Sequence, residues 1–326
     1  MRITDYITQE EFSDFCAINN FKTIFHIVKE WILIIAAVVL CEQYWSWWGY
    51  LFVVWWIAAR KHGMLWLAHD GIHSRMFKSS YWNDFVSMAF LMTPNFFSFT
   101  MFQEIHISHH RHLGNKKDPE NRPIIREKVQ GMSAFIKYLM PRVFNNITFG
   151  FAIMRFVEIF NALKVRFYLV KIKLFGGQEK DSIEIIKQVK KSRVLIYEWL
   201  FYVISAVVIT HLEGWKVVAM YWLVPHFTVL SFMILVRCWA EHEGVKNTSP
   251  LTQTRTVVGS WFDRLLFTPN SGHFHLEHHL AAGVPHYNLE KIHKCLMKND
   301  EYRDKALISG SYLEFMVSFF NLKKAK

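Results

Sequence analysis

The sequence has few of the residues that build disulfide scaffolds or thiolate metal sites. Its 326 residues include only four cysteines, and these form no CxxC pair and no regular spacing. It has no low-complexity tract, and its first 20 residues are acidic and polar, without the cationic start and apolar run of a cleavable signal peptide. These absences exclude a small disulfide-stabilised protein, and they indicate that any metal would be bound by ligands other than cysteine.

Apolar and aromatic side chains are abundant instead. Hydrophobic residues make up 52% of the chain and aromatic residues 17%, which is difficult to reconcile with a wholly solvated surface. A bilayer core of about 30 Å requires about 20 mainly apolar residues per helix. Four segments approach that length, and we predict transmembrane helices at about residues 24–42, 46–68, 196–212 and 216–237.

The distribution of basic residues orients these four helices. Short connections join the first helix to the second and the third to the fourth, which predicts two helical hairpins. The long region 69–193 holds 20 Lys and Arg and the region 237–326 holds 12, so the positive-inside bias places both on the cytoplasmic side.

We therefore predict one all-α integral membrane domain over residues 1–326. Its four transmembrane helices carry a cytoplasmic helical cap at about 69–195 and 238–326. The basic residues flank apolar segments, so no nucleic-acid partner is expected.

Eight of the 17 histidines fall in three short clusters, one HxxxH and two HxxHH, and His112 and His273 lie beside them. Residues three and four apart lie on one face of a helix and can direct imidazole nitrogens toward one point. Adjacent histidines diverge by about 100°, so they can serve different ions. Eight histidines exceed the four ligands of a structural zinc site, which favours a pair of transition-metal ions. The candidate ligands are His69, His73, His106, His109, His110, His275, His278 and His279.

Further candidates lie close to these clusters. His242 follows the fourth predicted helix on the same side of the membrane, which makes it a ninth possible ligand. For the clusters to meet, the apolar segment 85–102, interrupted by Pro94, must lie along the interface or be buried in protein rather than cross once. Four carboxylates are candidates for orienting the imidazoles, although each could equally be an ordinary surface charge. They are Asp70, Glu104, Glu241 and Glu277.

The three clusters and their positions relative to two hydrophobic hairpins resemble the membrane fatty acid desaturase and hydroxylase family. The similarity extends beyond the histidines to His110-Arg111-His112-Leu113-Gly114-Asn115 with Asp118-Pro119-Glu120, and to the string from His275 through Gly283-Val284-Pro285-His286-Tyr287-Asn288-Leu289. The resemblance implies a non-haem centre of two iron ions held by the nine histidines. It also implies oxidation of an unactivated C–H bond of a lipid or acyl substrate by O2 and two electrons. The chain lacks a haem-binding His-Pro-Gly-Gly motif, so a separate ferredoxin or cytochrome b5-type donor is implied.

Three functions remain open from the sequence. The leading hypothesis is an oxygen-dependent fatty acyl desaturase. A hydroxylase or ketolase acting on a fatty acyl chain, a carotenoid or another lipid would use the same centre, because both reactions begin with the same hydrogen abstraction. A membrane metal transporter or sensor would also carry histidine-rich loops, but the predicted spans offer few polar groups beyond His226 near the bilayer centre.

Overall fold

A computed structural model describes residues 3–115, 117–119, 182–242, 245 and 249–321. Part of the predicted cap, residues 120–181, lies outside this description. The chain divides into two compact units. One unit is Met140–Val218, and the other unit consists of Met1–Leu139 and Ala219–Lys326. The described residues are mostly helical. The helices are α1 (Gln9–Phe15), α2 (Asn20–Gln43), α3 (Trp47–Ile72), α4 (Ser80–Val86), α5 (Phe99–His112), α6 (Ser182–His211), α7 (Trp215–His242), α8 (His275–Leu280), α9 (His286–Leu296), α10 (Asp300–Lys305) and α11 (Tyr312–Asn321).

Three helices among the described residues are long and apolar enough to cross a bilayer. They are Asn20–Gln43, Val194–His211 and Trp215–His242. Helix α3 has 26 residues and spans about 39 Å, but its centre carries Arg60 and Lys61. The predicted fold class, all-α with membrane spans and a helical region that bears histidine clusters, is confirmed.

Helices α2 and α3 pair along much of their length. Polar caps begin both helices, because the side chains of Asn19 and Ser46 accept hydrogen bonds from the first-turn backbone. At mid-height the Trp56 indole donates to the carbonyl of Leu33 at 3.2 Å. One turn further, Arg60 lies 3.3 Å from the buried carboxylate of Glu30. The centre of α3 therefore lies beside the centre of α2, although α3, which was predicted as a span at residues 46–68, is not among the three helices apolar enough to cross a bilayer.

The polar centre of α3 donates hydrogen bonds to backbone carbonyls of its neighbours. Arg60, Lys61 and His62 are all buried. The Arg60 guanidinium donates to the carbonyl of Leu265, the Lys61 ammonium donates to that of Trp222 at 3.0 Å, and Nδ1 of His62 lies 2.8 Å from that of Phe267. An unsatisfied carbonyl at membrane depth costs several kcal/mol, so these three donors stabilise irregular backbone that water cannot reach.

The apolar segment between the first two histidine clusters is broken rather than straight. The chain bends by 102° between the helical residues Ser80–Asn95 and helix α5. Phe96 adopts a left-handed conformation (φ 62°) at the break, and the Trp222 indole donates to the carbonyl of Pro94 at 2.7 Å. Residues 91–95 are buried in protein. This arrangement agrees with the prediction that the segment does not cross the membrane as a single straight helix.

The region after α7 folds over the end of α3. Two short parallel strands, β1 (Thr256–Val257) and β2 (Ile308–Ser309), join its two halves. Its apolar core includes Leu276 of α8, Ile292 of α9 and Tyr302 of α10, together with Trp66 of α3. Packing against Trp66 fixes the third histidine cluster beside the first.

We expect Arg60→Met to destabilise the fold strongly. The change keeps apolar volume but leaves the Glu30 carboxylate without its guanidinium partner and the Leu265 carbonyl without its donor. Breaking a buried pair in this way costs about 3–5 kcal/mol, which a lower midpoint of thermal unfolding in detergent would reveal. Arg303→Met, which removes the exposed pair with Asp300, is the control and should stay within about 1 kcal/mol of the parent. An unchanged midpoint for Arg60→Met would contradict this account.

Candidate metal centre

The nine candidate histidines converge at one end of α3. Their ring nitrogens form two groups, and in each group the possible ligand atoms lie within 4.8 Å of one another. Both groups belong to the same compact unit. The first group is His69, His73, His106, His110 and His278, and the second group is His109, His242, His275 and His279.

Helical periodicity divides each HxxHH cluster between the two groups. In α5, the i and i+4 residues His106 and His110 join the first group, while the i+3 residue His109 joins the second. In α8 the pattern is reversed, because His275 and His279 join the second group and His278 joins the first. Each HxxHH helix therefore contributes to both groups and holds them side by side. His242, the last residue of α7, belongs to the second group.

The spacing of the nitrogens fits common metal ions. Metal–imidazole bonds of about 2.1 Å at tetrahedral or octahedral angles place ligand nitrogens about 3 Å apart. In the first group, Nε2 of His106 lies 2.7 Å from that of His69 and 3.1 Å from that of His73. In the second group, Nε2 of His275 lies 2.9 Å from that of His242 and 3.0 Å from that of His279. Each such pair can share at most one proton, so convergence of this many acceptor nitrogens favours a bound cation.

Burial favours the neutral form of seven of the candidate histidines by lowering their pKa values, and these are His69, His73, His106, His110, His275, His278 and His279. It lowers the pKa of His73 to about 4, although the nearby Asp70 carboxylate acts in the opposite direction. Burial also places the pKa values of His275, His278 and His279 well below the ordinary value, and neighbouring histidines lower them further. A neutral imidazole is the form that binds a metal. These candidate ligands therefore need not lose a proton before they could bind a metal ion at physiological pH.

Asp118 orients one histidine of the second group. Its carboxylate lies 2.8 Å from Nδ1 of His109, which leaves Nε2 of that ring to face the group. The backbone N–H of Gly114 donates to the second carboxylate oxygen at 3.1 Å. Gly114 has φ 72°, a left-handed conformation that suits glycine and turns the chain back after α5. Helix, turn and carboxylate together fix the rotation of His109.

Glu277 joins α8 to the surrounding cap. Its buried carboxylate accepts hydrogen bonds from Nδ1 of His293 and from the Tyr302 hydroxyl, both at 2.5 Å, and from the Thr256 hydroxyl. Burial and this carboxylate raise the pKa of Tyr302, so the hydroxyl keeps the proton that it donates. These contacts attach α8, which carries His278, to the rest of the cap.

The other predicted carboxylates have different surroundings. The Asp70 carboxylate accepts a hydrogen bond from the backbone N–H of His286 at 2.8 Å. The same carboxylate oxygen lies 2.7 Å from Nδ1 of the His286 ring. A carboxylate oxygen of Glu241 lies 3.5 Å from Nδ1 of His275 and 3.4 Å from Nε of Arg237. Glu104 is exposed on the surface of α5.

Trp66 forms one wall of the site. Its indole stacks on His69 with ring centroids 4.4 Å apart and planes 12° apart, and the Arg237 guanidinium lies 5.2 Å from its ring. A Cβ on Gly272 would lie 3.1 Å from the Trp66 ring, so glycine permits this close approach. His226 belongs to neither histidine group and instead contacts Phe96, with ring centroids 5.2 Å apart.

Sequence reasoning did not single out three residues that support the site. Asp118, His286 and His293 all pair with partners that are distant in sequence or lie beyond a turn. The motifs Asp118-Pro119 and Pro285-His286 were visible as parts of a family pattern, but nothing in their spacing reveals which side chain each one meets.

Comparisons with known proteins agree with this geometry. The sequence matches the fatty acid desaturase family over residues 45–310, a stretch that contains both histidine groups. It is 26% identical over 299 residues to dihydrorhizobitoxine desaturase of Bradyrhizobium elkanii, covering 90% of this chain and 80% of that protein. It is 24% identical over 293 residues to sn-1 oleoyl-lipid 12-desaturase of a Picosynechococcus species, covering 83% and 78%.

We expect Asp118→Asn to weaken metal binding in the second group. The amide no longer provides the negative charge that fixes the Nδ1–H tautomer and basicity of His109, and loss of such a partner typically costs about 10–100-fold in affinity. Competition with a chelator, followed by metal analysis of the full chain, measures the change. Asp304→Asn, on the exposed surface of α10, is the control. Equal affinity in Asp118→Asn and the parent would refute the orienting role.

Proposed function

The chain belongs to the fatty acid desaturase family, and we propose that it is an oxygen-dependent enzyme that introduces a double bond into the acyl chain of a membrane lipid or acyl carrier. The observation that carries the proposal is the pair of adjacent histidine groups within the family match. Family membership makes the chain an oxidoreductase, which leaves the alternative of a metal transporter or sensor without support.

The proposed cofactor is a pair of iron ions, one in each histidine group. The donor set supports this choice because neutral imidazole nitrogens suit iron, and the five and four convergent histidines leave room for open coordination positions. When bound, the irons supply the O2 chemistry that removes hydrogen from an unactivated C–H bond. Replacing two C–H bonds by a double bond while O2 becomes two waters requires two further electrons and two protons.

The protein's own residues hold the centre rigid and dry. The two HxxHH helices fix the separation of the histidine groups, and the Asp118 and Glu277 carboxylates fix neighbouring rings. Trp66 covers His69 and excludes water from that side. A substrate methylene must approach the reacting centre to about 3–3.5 Å. A buried centre of this kind restricts that approach to an apolar chain of matching shape.

We place the active site on the cytoplasmic side, where the positive-inside bias puts both long basic regions. The electrons would come from a separate ferredoxin or cytochrome b5-type protein, because the sequence contains no His-Pro-Gly-Gly motif. The basic surface implied by 38 Lys and Arg against 27 Asp and Glu is compatible with an acidic redox partner.

Histidine substitutions in each group test the metal assignment. We expect about two irons per chain in anaerobically purified parent protein, one for each group of nitrogens. His278→Ala in the first group and His109→Ala in the second should each abolish product and lower iron content, as measured by elemental analysis. His211→Ala, at the exposed last residue of α6, is the matched control. Full activity in either ligand variant would show that the assignment is wrong.

The substrate and outcome are tested by metabolite profiles of expressing and control cells. We expect an acyl product that is lighter by two hydrogens, whereas a product heavier by one oxygen would favour a hydroxylase with the same centre. The two relatives are named for different substrates, dihydrorhizobitoxine and an oleoyl lipid. Polar extracts must therefore be compared as well as lipids. A desaturated polar metabolite without any change in lipids would overturn the acyl assignment while leaving the metal centre intact.

A further inference from the structure

The segment that precedes the third histidine cluster reaches deep along α3. Its two ends meet where the backbone N–H of Val257 donates to the carbonyl of His273 at 3.0 Å. Gly272, next to that junction, lies against Trp66. Between these ends, the carbonyl of Leu266 accepts from the Trp55 indole at 2.9 Å. Trp55 and Trp66 are separated by about 16 Å along a helix. The chain therefore descends from the metal end of α3, reaches Trp55 and returns.

This descent ends at the middle of a candidate membrane span. Trp56 and Arg60 contact Leu33 and Glu30, which lie on either side of the midpoint of α2. Arg60 also donates to Leu265. Residues 265–267 thus lie at the height at which α2 is at the centre of its apolar length. Their carbonyls, which end a short π-helix (Asp263–Phe267), are bound by α3 side chains as irregular backbone at membrane depth requires.

The outward side of this segment is strongly apolar. Trp261 is 72% exposed, Phe262 44% and Leu265 39%. Helix α11 extends the same surface, because the Tyr312 ring stacks on Phe267 with centroids 4.6 Å apart. On α11, Leu313 is 69% exposed and Val317, one turn later, is 49% exposed. Among the described residues that follow α7 in the sequence, these five are the large hydrophobic residues that are exposed.

The charged groups of the segment are turned inward or toward the cap. The buried Asp263 carboxylate accepts from the backbone N–H and hydroxyl of Ser260, each at 2.8 Å. The Arg264 guanidinium donates to the carbonyl of Val258 and lies 3.6 Å from Glu290 of α9. The exposed positions of the segment are therefore mainly apolar, since Asp263 is buried and the half-exposed Arg264 side chain is paired with Glu290, whereas Glu314 is an exposed charge in the first turn of α11. This distribution is typical of a surface that contacts hydrocarbon and not of one that contacts water.

We propose that residues 258–268 and helix α11 form a re-entrant, membrane-embedded element whose exposed side chains contact lipid acyl chains. The region after α7 would then be anchored in the bilayer as well as resting on it. The occupant is the bilayer, because the hydrogen bonds to Trp55 and Arg60 place the element at the depth of the α2 centre. This inference does not depend on the identity of the metal or the substrate.

Spin-label accessibility tests the proposal on the full chain in nanodiscs of phosphatidylcholine and phosphatidylglycerol. Cysteines are introduced singly at Trp261, Leu265 and Leu313, in a background in which Cys16, Cys238 and Cys295 are serine and the buried Cys41 is kept. The labels are exposed to O2, which partitions into lipid, and to a nickel chelate, which stays in water. Position 35, exposed on α2, is the lipid control, and position 304, exposed on α10, is the aqueous control.

We expect the three test positions to behave like position 35, with high O2 collision and a loss of nickel collision. Behaviour like position 304 would overturn the proposal in favour of a solvated cap. Low collision with both reagents would also overturn it, because the surface would then be covered by protein, such as a second copy. The thermal unfolding midpoint of each labelled variant must match that of the background, which excludes misfolding as the source of either result.

Discussion

Convergence of nine imidazoles on two neighbouring points is the constraint that organises the described structure. Four chain segments, namely α3, α5, the end of α7 and α8, supply the ring nitrogens, and within each group the possible ligand atoms lie within 4.8 Å of one another. Each HxxHH helix serves both groups, so a rotation of either helix would disturb both groups together. The carboxylates Asp118 and Glu277, the Trp66 wall and the core beneath α8 all act to hold these helices in register.

A second constraint follows from the first. To place the histidines beside the end of α3, the chain twice descends along α3 and returns, once between the first two clusters and once before the third. Both returns expose backbone carbonyls at a depth without water. Trp222 donates to Pro94 in the first return, and Arg60, Trp55 and His62 bind the carbonyls of residues 265–267 in the second, while Lys61 donates to the carbonyl of Trp222 itself. The charges that make α3 a poor transmembrane candidate by hydropathy are therefore internal hydrogen-bond donors, and they connect the membrane part of the chain to the geometry of the metal centre.

Much of the architecture could be predicted because two periodic signals are local. Apolar length predicted helices at positions that α2, α3, α6 and α7 occupy, and spacings of three and four predicted which histidines share a helix face. The orientation of the supporting groups could not be predicted in this way. Glu277 lies within a histidine cluster in sequence, yet its carboxylate contacts His293, Tyr302 and Thr256 rather than a neighbouring cluster histidine. Contacts of this kind depend on loop paths that no single-sequence pattern encodes.

The sequence by itself determined that the chain is an apolar, helical protein whose histidines sit in clusters suited to two ions. Hydropathy and helical spacing are properties of adjacent residues, so they can be read without the fold. Only the tertiary structure decided that His242 joins the second group, that Asp118 pairs with His109, and that residues 258–268 descend beside α3. These outcomes depend on which distant segments pack together and on where buried carbonyls find donors. Both are decided by the free energy of the whole packed molecule and not by any local stretch of it.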